Sequence, residues 1–376
     1  MAAKPTPDAS PGTVQPARAP FPVVFWVTNL VEFLERMAYY GALAVASLRM
    51  EDQGLSTGAI GTVMGLLLPL PFLVPILSSA LAERFGYKRL LLASFVLYAS
   101  GFLLFANASS LPAFFAAVVL LGCGAGAFKP VPAATIGIVS PPGRTRQGYS
   151  YYYAAINVGG LVGPLLAGGL VYLAGKDVGR ALTLYASSAA VALAALVVVS
   201  LFRNPKPANP DLGVAAGFAR FLPGLRDGRF MALLAIFSGF WFLYSMNFSF
   251  LSLYIDDFVD LPRWFSVEMQ NTINPLVIVL VGVPLGLWAD RLRGFAAMTL
   301  GIGLFAAGFA LIGFTHDFVY LVAGLVIATF GEILAYPGFL AHVAKVAGPD
   351  RASAYQSLGF LPIGLGFFVG PLVGGR

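Results

Sequence analysis

Apolar residues run along this chain in long blocks separated by short polar breaks. The blocks cover about 22–48, 57–82, 90–107, 112–140, 148–174, 181–202, 231–255, 267–289, 295–314, 318–346 and 353–375. A helix needs about 20 apolar residues to cross a bilayer, so the pattern predicts an all-α protein with eleven membrane-spanning helices. The first block departs from its own pattern. Glu32, Glu35 and Arg36 lie near its middle, where each charge costs roughly 2.5–3.5 kcal/mol. Positions 32, 35, 36, 39 and 40 share one helical face. That face must line a cavity or pair with another helix. It serves either as a proton- and substrate-binding surface or as an ion pair locking helices together.

Composition agrees with the pattern. Hydrophobic residues make up 58% and charged residues 11% of the 376 positions, against about 25% charged in soluble domains. The 43 Gly and 26 Pro suit membrane helices, where neighbours re-satisfy kinks and small residues permit close packing. The net charge of +6 does not indicate nucleic acid, because the basic residues follow the loops. With the N-terminus inside, sixteen Lys and Arg fall on the cytoplasmic side, and Arg49, Lys176, Arg180 and Arg263 fall outside. The positive-inside rule then gives a multi-pass inner (plasma) membrane protein with a cytoplasmic N-terminus. Cys123 is the single cysteine, and His316 and His342 form no ligand pair. No cofactor is expected.

Residues 1–20, rich in Pro and Ala, read as a disordered tail. The longest polar connection, 203–230, carries Pro205, Pro207, Pro210 and Pro223 with five basic residues, and reads as a cytoplasmic linker between a bundle at 21–202 and another at 231–376. The second bundle should repeat the first. Glu83-Arg84 recurs as Asp290-Arg291, Pro130 as Pro337, and Gly163-Pro164 as Gly370-Pro371, each at an offset of 207 residues. The expectation is two six-helix halves in parallel arrangement, with a twelfth helix missing after Arg376.

Duplicated halves with Glu83-Arg84-Phe85-Gly86-Tyr87-Lys88-Arg89 after the second span resemble the major facilitator superfamily. Within it, Glu32-x-x-Glu35-Arg36-x-x-Tyr39-Tyr40-Gly41 is similar to the first-helix motif of the proton-dependent oligopeptide transporter family. Gly122-x-Gly124-x-Gly126-x-x-Lys129-Pro130, Tyr152-Tyr153-Ala154-Ala155-Ile156-Asn157-Val158-Gly159, Asn274-Pro275 and Gly331-Glu332 with Pro337 also resemble that family, over nearly the whole chain.

Desolvation favours a neutral carboxyl and a nearby cation favours a carboxylate, so Glu32 and Glu35 beside Arg36 can exchange a proton near neutral pH. The resemblance implies that one of them takes the proton, that Lys129 is their salt-bridge partner, and that Arg36 grips a substrate carboxylate bidentately. Glu332 lies on the repeat-equivalent of the helix bearing Lys129, so it would face Lys129 across the cavity and take the substrate amine. Asn157 and Asn274 would bond the peptide amide, Tyr39 and Tyr40 would close over it, and Trp241 has a family counterpart. The alternatives are a structural Lys129–Glu332 pair, interhelical bonding by the asparagines, and packing by Trp241.

Three positions depart from the family pattern. Tyr244 and Ser245 stand where it carries a seventh-helix acid, and Leu43 where it carries Arg two residues after Tyr-Tyr-Gly. Gly359-Phe360 stand near the usual eleventh-helix Trp. The first two changes together read as replacement of an outer-gate pair as a unit, since one orphaned charge would be expensive. The expected protein is a monomeric symporter importing di- and tripeptides with the proton gradient. The competing expectation is a transporter of another solute, a nitrate-like anion or an exported drug, with Gly366-x-x-x-Gly370-Pro371-x-x-Gly374-Gly375 resembling an antiporter pattern. No phosphate loop, metal spacing or Ser/His/Asp set supports an enzyme.

Overall fold

The computed structural model describes residues 19–75, 78, 81–82, 85–142, 144–205, 222–289, 292, 294–314, 316–347 and 358–375. The Glu83-Arg84 and Asp290-Arg291 loops, most of the tail, residues 206–221 of the linker and the start of the last expected span lie outside them. The first half comprises α1 (Val23–Asp52), α2 (Thr57–Leu67), α3 (Leu70–Leu73), α4 (Tyr87–Asn107), α5 (Leu111–Phe128), α6 (Pro130–Val139), α7 (Thr145–Ala174) and α8 (Lys176–Leu201). The second comprises α9 (Gly228–Ser249), α10 (Leu251–Phe258), a 3₁₀ turn (Val267–Thr272), α11 (Ile273–Ala289), α12 (Gly294–Gly313), α13 (Phe318–Ala347) and α14 (Leu361–Gly374).

Helical stretches thus stand at all eleven expected spans. Among the described residues, seven are long and apolar enough to cross a membrane unaided. The stretches also carry breaks and charges with identifiable causes. Pro69 and Pro71 divide the second stretch, and α1 carries its buried charges. Pro130 divides the fourth. Having no N–H, Pro130 cannot bond the Gly126 carbonyl one turn back; the Ser78 hydroxyl donates to that carbonyl instead, at 2.8 Å. A break can therefore persist inside the bundle without an orphaned acceptor.

The expected start of the sixth span, near 181, is corrected to Lys176. Gly175 adopts φ +83°, a left-handed turn that glycine makes without strain, and α8 begins at the next residue. Arg180 consequently belongs to a helix and is buried, where the sequence suggested a loop cation.

The internal repeat is visible in the packing. A Cβ on Gly124 would lie 3.1 Å from Ser94 O and 3.0 Å from Tyr98 N; one on Gly331 would lie 2.5 Å from both Gly301 O and Phe305 N. All three partners shift by the same 207 residues, so α5 meets α4 as α13 meets α12. Gly163 likewise brings α7 onto α1, and Gly370 brings α14 onto α9. The glycines of the antiporter-like stretch have this packing role. Cβ atoms on Gly366, Gly370 and Gly374 would fall within 3.0 Å of Trp241, Ser245 and Phe250.

Candidate functional site

The polar face of α1 is buried as a cluster. Glu32 is 2% exposed and Glu35 0%. Arg36 Nε donates to Glu35 Oε2 at 2.5 Å and lies 3.3 Å from Glu32 Oε1. The Tyr98 hydroxyl, from α4, donates to the other oxygen of Glu35. Glu35 is therefore satisfied on both oxygens, while Glu32 Oε2 is buried and makes no close hydrogen bond among the described residues, with the Tyr152 hydroxyl of α7 near the same carboxyl. Burying an acceptor unsatisfied is costly, and a proton on that oxygen would remove a charge that Arg36 shares between two acids. Glycine makes the cluster possible. A Cβ on Gly159 of α7 would sit 2.6 Å from Arg36 Cβ and 2.8 Å from Phe33 O, so α7 can cover this face only with glycine there.

Lys129 stands at the junction of α5 and α6. Its ammonium lies 3.6 Å from the Phe72 ring centroid, and among the described residues it makes no ion pair within 4 Å, although it is near enough to Glu32, Glu35 and Arg36 to interact through space. The expected contact between Lys129 and the glutamates is thus replaced in this conformation by Arg36, which holds both.

A cavity of about 180 Å³ opens between the halves, one turn along α1 from the cluster. Tyr40, Tyr153, Ile156, Asn157 and Gly160 line it from the first half; Tyr244, Asn247, Asn271, Asn274, Glu332 and Tyr336 are among its walls from the second. Glu332 Oε2 accepts from Asn274 Nδ2 at 2.6 Å, and the Tyr244 hydroxyl donates to Oε1 at 3.4 Å. Tyr244 thus fills the place of the missing seventh-helix acid by bonding the acid of α13. Asn274 Nδ2 also donates to Thr329 Oγ1 at 3.2 Å. Asn157 donates to Tyr153 O on its own helix at 2.8 Å.

Of the residues singled out in the sequence, the structure brings Tyr40, Asn157, Asn274 and Glu332 to the cavity and Glu32, Glu35 and Arg36 to the cluster beside it. Tyr39 turns into the first half, under the Arg36 guanidinium at 5.5 Å and against a small apolar void. Trp241 does not reach the cavity; it packs edge-on against Tyr244 and Tyr336 at 5.1 and 5.2 Å. Sequence reasoning missed Asn247 and Asn271. Asn247 Nδ2 donates to Asn271 Oδ1 at 3.2 Å, and Asn271 Nδ2 has no partner among the described residues. The 207-residue offset could have found Asn247, since it is the repeat counterpart of Tyr40, and both line the cavity.

A family model described as Major Facilitator Superfamily matches residues 26–371. The chain belongs to that superfamily. Its members are transporters, and this one is a multi-pass membrane protein in which the two helical halves enclose the cavity. Among solved structures, a peptide transporter POT in complex with sulfate superposes with a TM-score of 0.78 at 20% identity, covering 94% of this chain and 88% of that one. A POT family transporter in complex with 5-aminolevulinic acid gives 0.76 at 18%, covering 93% and 89%. These likenesses are of fold. By sequence, the chain is 24% identical to "Multidrug resistance protein MdtH" of Aeromonas hydrophila over 357 residues, 93% of this chain and 86% of the relative. It is 26% identical over 273 residues to "Uncharacterized MFS-type transporter YttB" of Bacillus subtilis, 70% and 65% of the two chains.

Proposed function

We propose that this transporter is a proton-coupled importer of short peptides, working by alternating access and belonging to the proton-dependent oligopeptide group. One observation carries the reading: a buried two-carboxylate, one-guanidinium cluster lies on the same helix as the cavity residue Tyr40, one turn away. Glu32, whose Oε2 makes no close hydrogen bond among the described residues, is the proton acceptor, and Glu35 with Tyr98 holds Arg36 in place. Neutralising Glu32 loosens one of the two bonds on Arg36, which can then reach with Lys129 toward a substrate carboxylate. Glu332, oriented by Asn274, takes the amine, and Asn157, Asn247 and Asn271 face the peptide amide. The N-terminus is cytoplasmic, the membrane is the plasma membrane, the working unit is a monomer, and no cofactor beyond the proton gradient is required.

A second reading is export of amine-bearing organic cations in exchange for protons. The cavity favours it on one point: its wall carries the Glu332 carboxylate and four tyrosines but no basic side chain, and aromatic faces beside a carboxylate suit a cation. Kinship to a chain named for multidrug resistance points the same way. Proteoliposome transport separates the two. Inward-gradient accumulation of labelled dialanine, competed by tripeptides, is the expected result. Gradient-driven movement of an aromatic amine without peptide uptake would establish the second reading.

A further inference from the structure

A second charge cluster lies at the end of the bundle that holds the C-terminus of α1. Arg180, near the start of α8, is 1% exposed, and each of its three nitrogens meets a different carboxylate. Nε donates to Glu268 Oε1 at 3.0 Å, Nη1 to Asp52 Oδ1 at 2.7 Å and Nη2 to Asp256 Oδ2 at 3.3 Å. Lys176 Nζ meets the other oxygen of Asp256 at 2.5 Å. Asp52 ends α1 in the same half as Arg180. Asp256 on α10 and Glu268 in the 3₁₀ turn belong to the other half. A cation near a helix N-terminus opposes the helix dipole, so this position has no local reason to be arginine. Its reason is the fork, which spreads five N–H donors over three acids in a way that a lysine point charge cannot.

The same end is closed by tight backbone packing. A Cβ on Gly61 of α2 would lie 2.3 Å from Pro371 O of α14, and one on Gly168 of α7 would lie 2.5 Å from Met269 Cγ in the 3₁₀ turn. The exposed residue of the cavity wall is Tyr153, 56% accessible, on the half of α7 that faces the opposite end. Among the described residues the halves therefore meet at the Arg180 end, and the exposed part of the cavity wall lies toward the other.

We propose that Arg180 is the latch of the transport cycle, a positioning residue that holds this end shut while the cavity opens at the other. Rocking the halves must break the bonds to Asp256 and Glu268 and can leave the bond to Asp52 intact. Closed, the ions attract in a low-dielectric setting. As the mouth widens, water enters and solvates the separated charges, and their attraction falls. The latch thus holds firmly when shut and releases once opening has begun. This inference goes beyond the peptide reading and does not depend on the solute.

The test reads accessibility and needs neither solute nor gradient. Ile156, on the cavity wall, is changed to cysteine in a Cys123→Ser background, and a membrane-impermeant maleimide is applied from the Arg180 side. The expected result is slow labelling in the parent and labelling roughly tenfold faster in Glu268→Gln, in keeping with the loss of one charge-assisted bond across the halves. Asp52→Asn, which removes a bond within one half, is expected to change the rate less than about twofold on the same basis. If Glu268→Gln does not fold, Asp256→Asn serves in its place. Unchanged labelling in both cross-half variants would overturn the proposal. So would equal acceleration by Asp52→Asn, because that would make the cluster a general structural weld.

Discussion

Two buried arginines organise this molecule, and they are built differently. Arg36 is held by acids one and four residues before it on α1, Glu35 and Glu32, with Tyr98 as the outside support. Arg180 is held by acids contributed by three other elements, two of them in the opposite half. The first arrangement can change its protonation without moving any helix. The second cannot release its partners without moving the halves. A local cluster suits coupling, and a cluster assembled across halves suits gating.

The sharpest way to break this comparison is at Glu32. Glu32→Gln is expected to abolish gradient-driven uptake, measured in proteoliposomes, while leaving expression and maleimide labelling from the Arg180 side within about twofold of the parent. A change in labelling would mean that the α1 cluster also gates. Next in size, Glu332→Gln should raise KM for an amine-bearing solute roughly 10- to 100-fold, as for loss of a charge-assisted bond. Acetylating the amine of the solute should erase the difference between variant and parent. A stability effect without a transport effect is expected at Ser78. Ser78→Ala leaves the Gly126 carbonyl unsatisfied in the bundle, a loss of about 1–3 kcal/mol readable as a lowered Tm in detergent. The smallest effect belongs to the pair of the buried Arg49 and the exposed Asp177, where Asn would keep an acceptor for the guanidinium. Asp177 is 70% exposed at its side chain, so Asp177→Asn should change stability by less than about 1 kcal/mol and leave labelling unaltered. A large effect there would show that the hub extends beyond Arg180.

The face of α1 was legible in the sequence because charges are so unfavourable in a spanning helix that their spacing speaks for itself. The duplicated halves were legible from an offset that the glycine contacts at Gly124 and Gly331 reproduce. The Arg180 hub was not legible. Its partners stand at 52, 256 and 268, with no periodicity linking them, and charges near a helix end look like loop residues until the turn at Gly175 is known. Lys129 was expected as the salt-bridge partner of the glutamates, but the choice between their carboxylates and the Phe72 face depends on how the broken second and fourth stretches cross. Trp241 had a family counterpart, yet its neighbours Tyr244 and Tyr336 hold it behind the cavity wall.

The most direct measurement pairs two assays on one variant. Labelled dialanine uptake is followed in proteoliposomes carrying the parent or Glu32→Gln, once under an inward proton gradient and once as exchange against unlabelled peptide with no gradient. Glu32→Gln is expected to lose accumulation but keep exchange, because the cavity and the Arg180 latch are intact while the proton site is gone. Accumulation by Glu32→Gln equal to that of the parent would contradict this expectation.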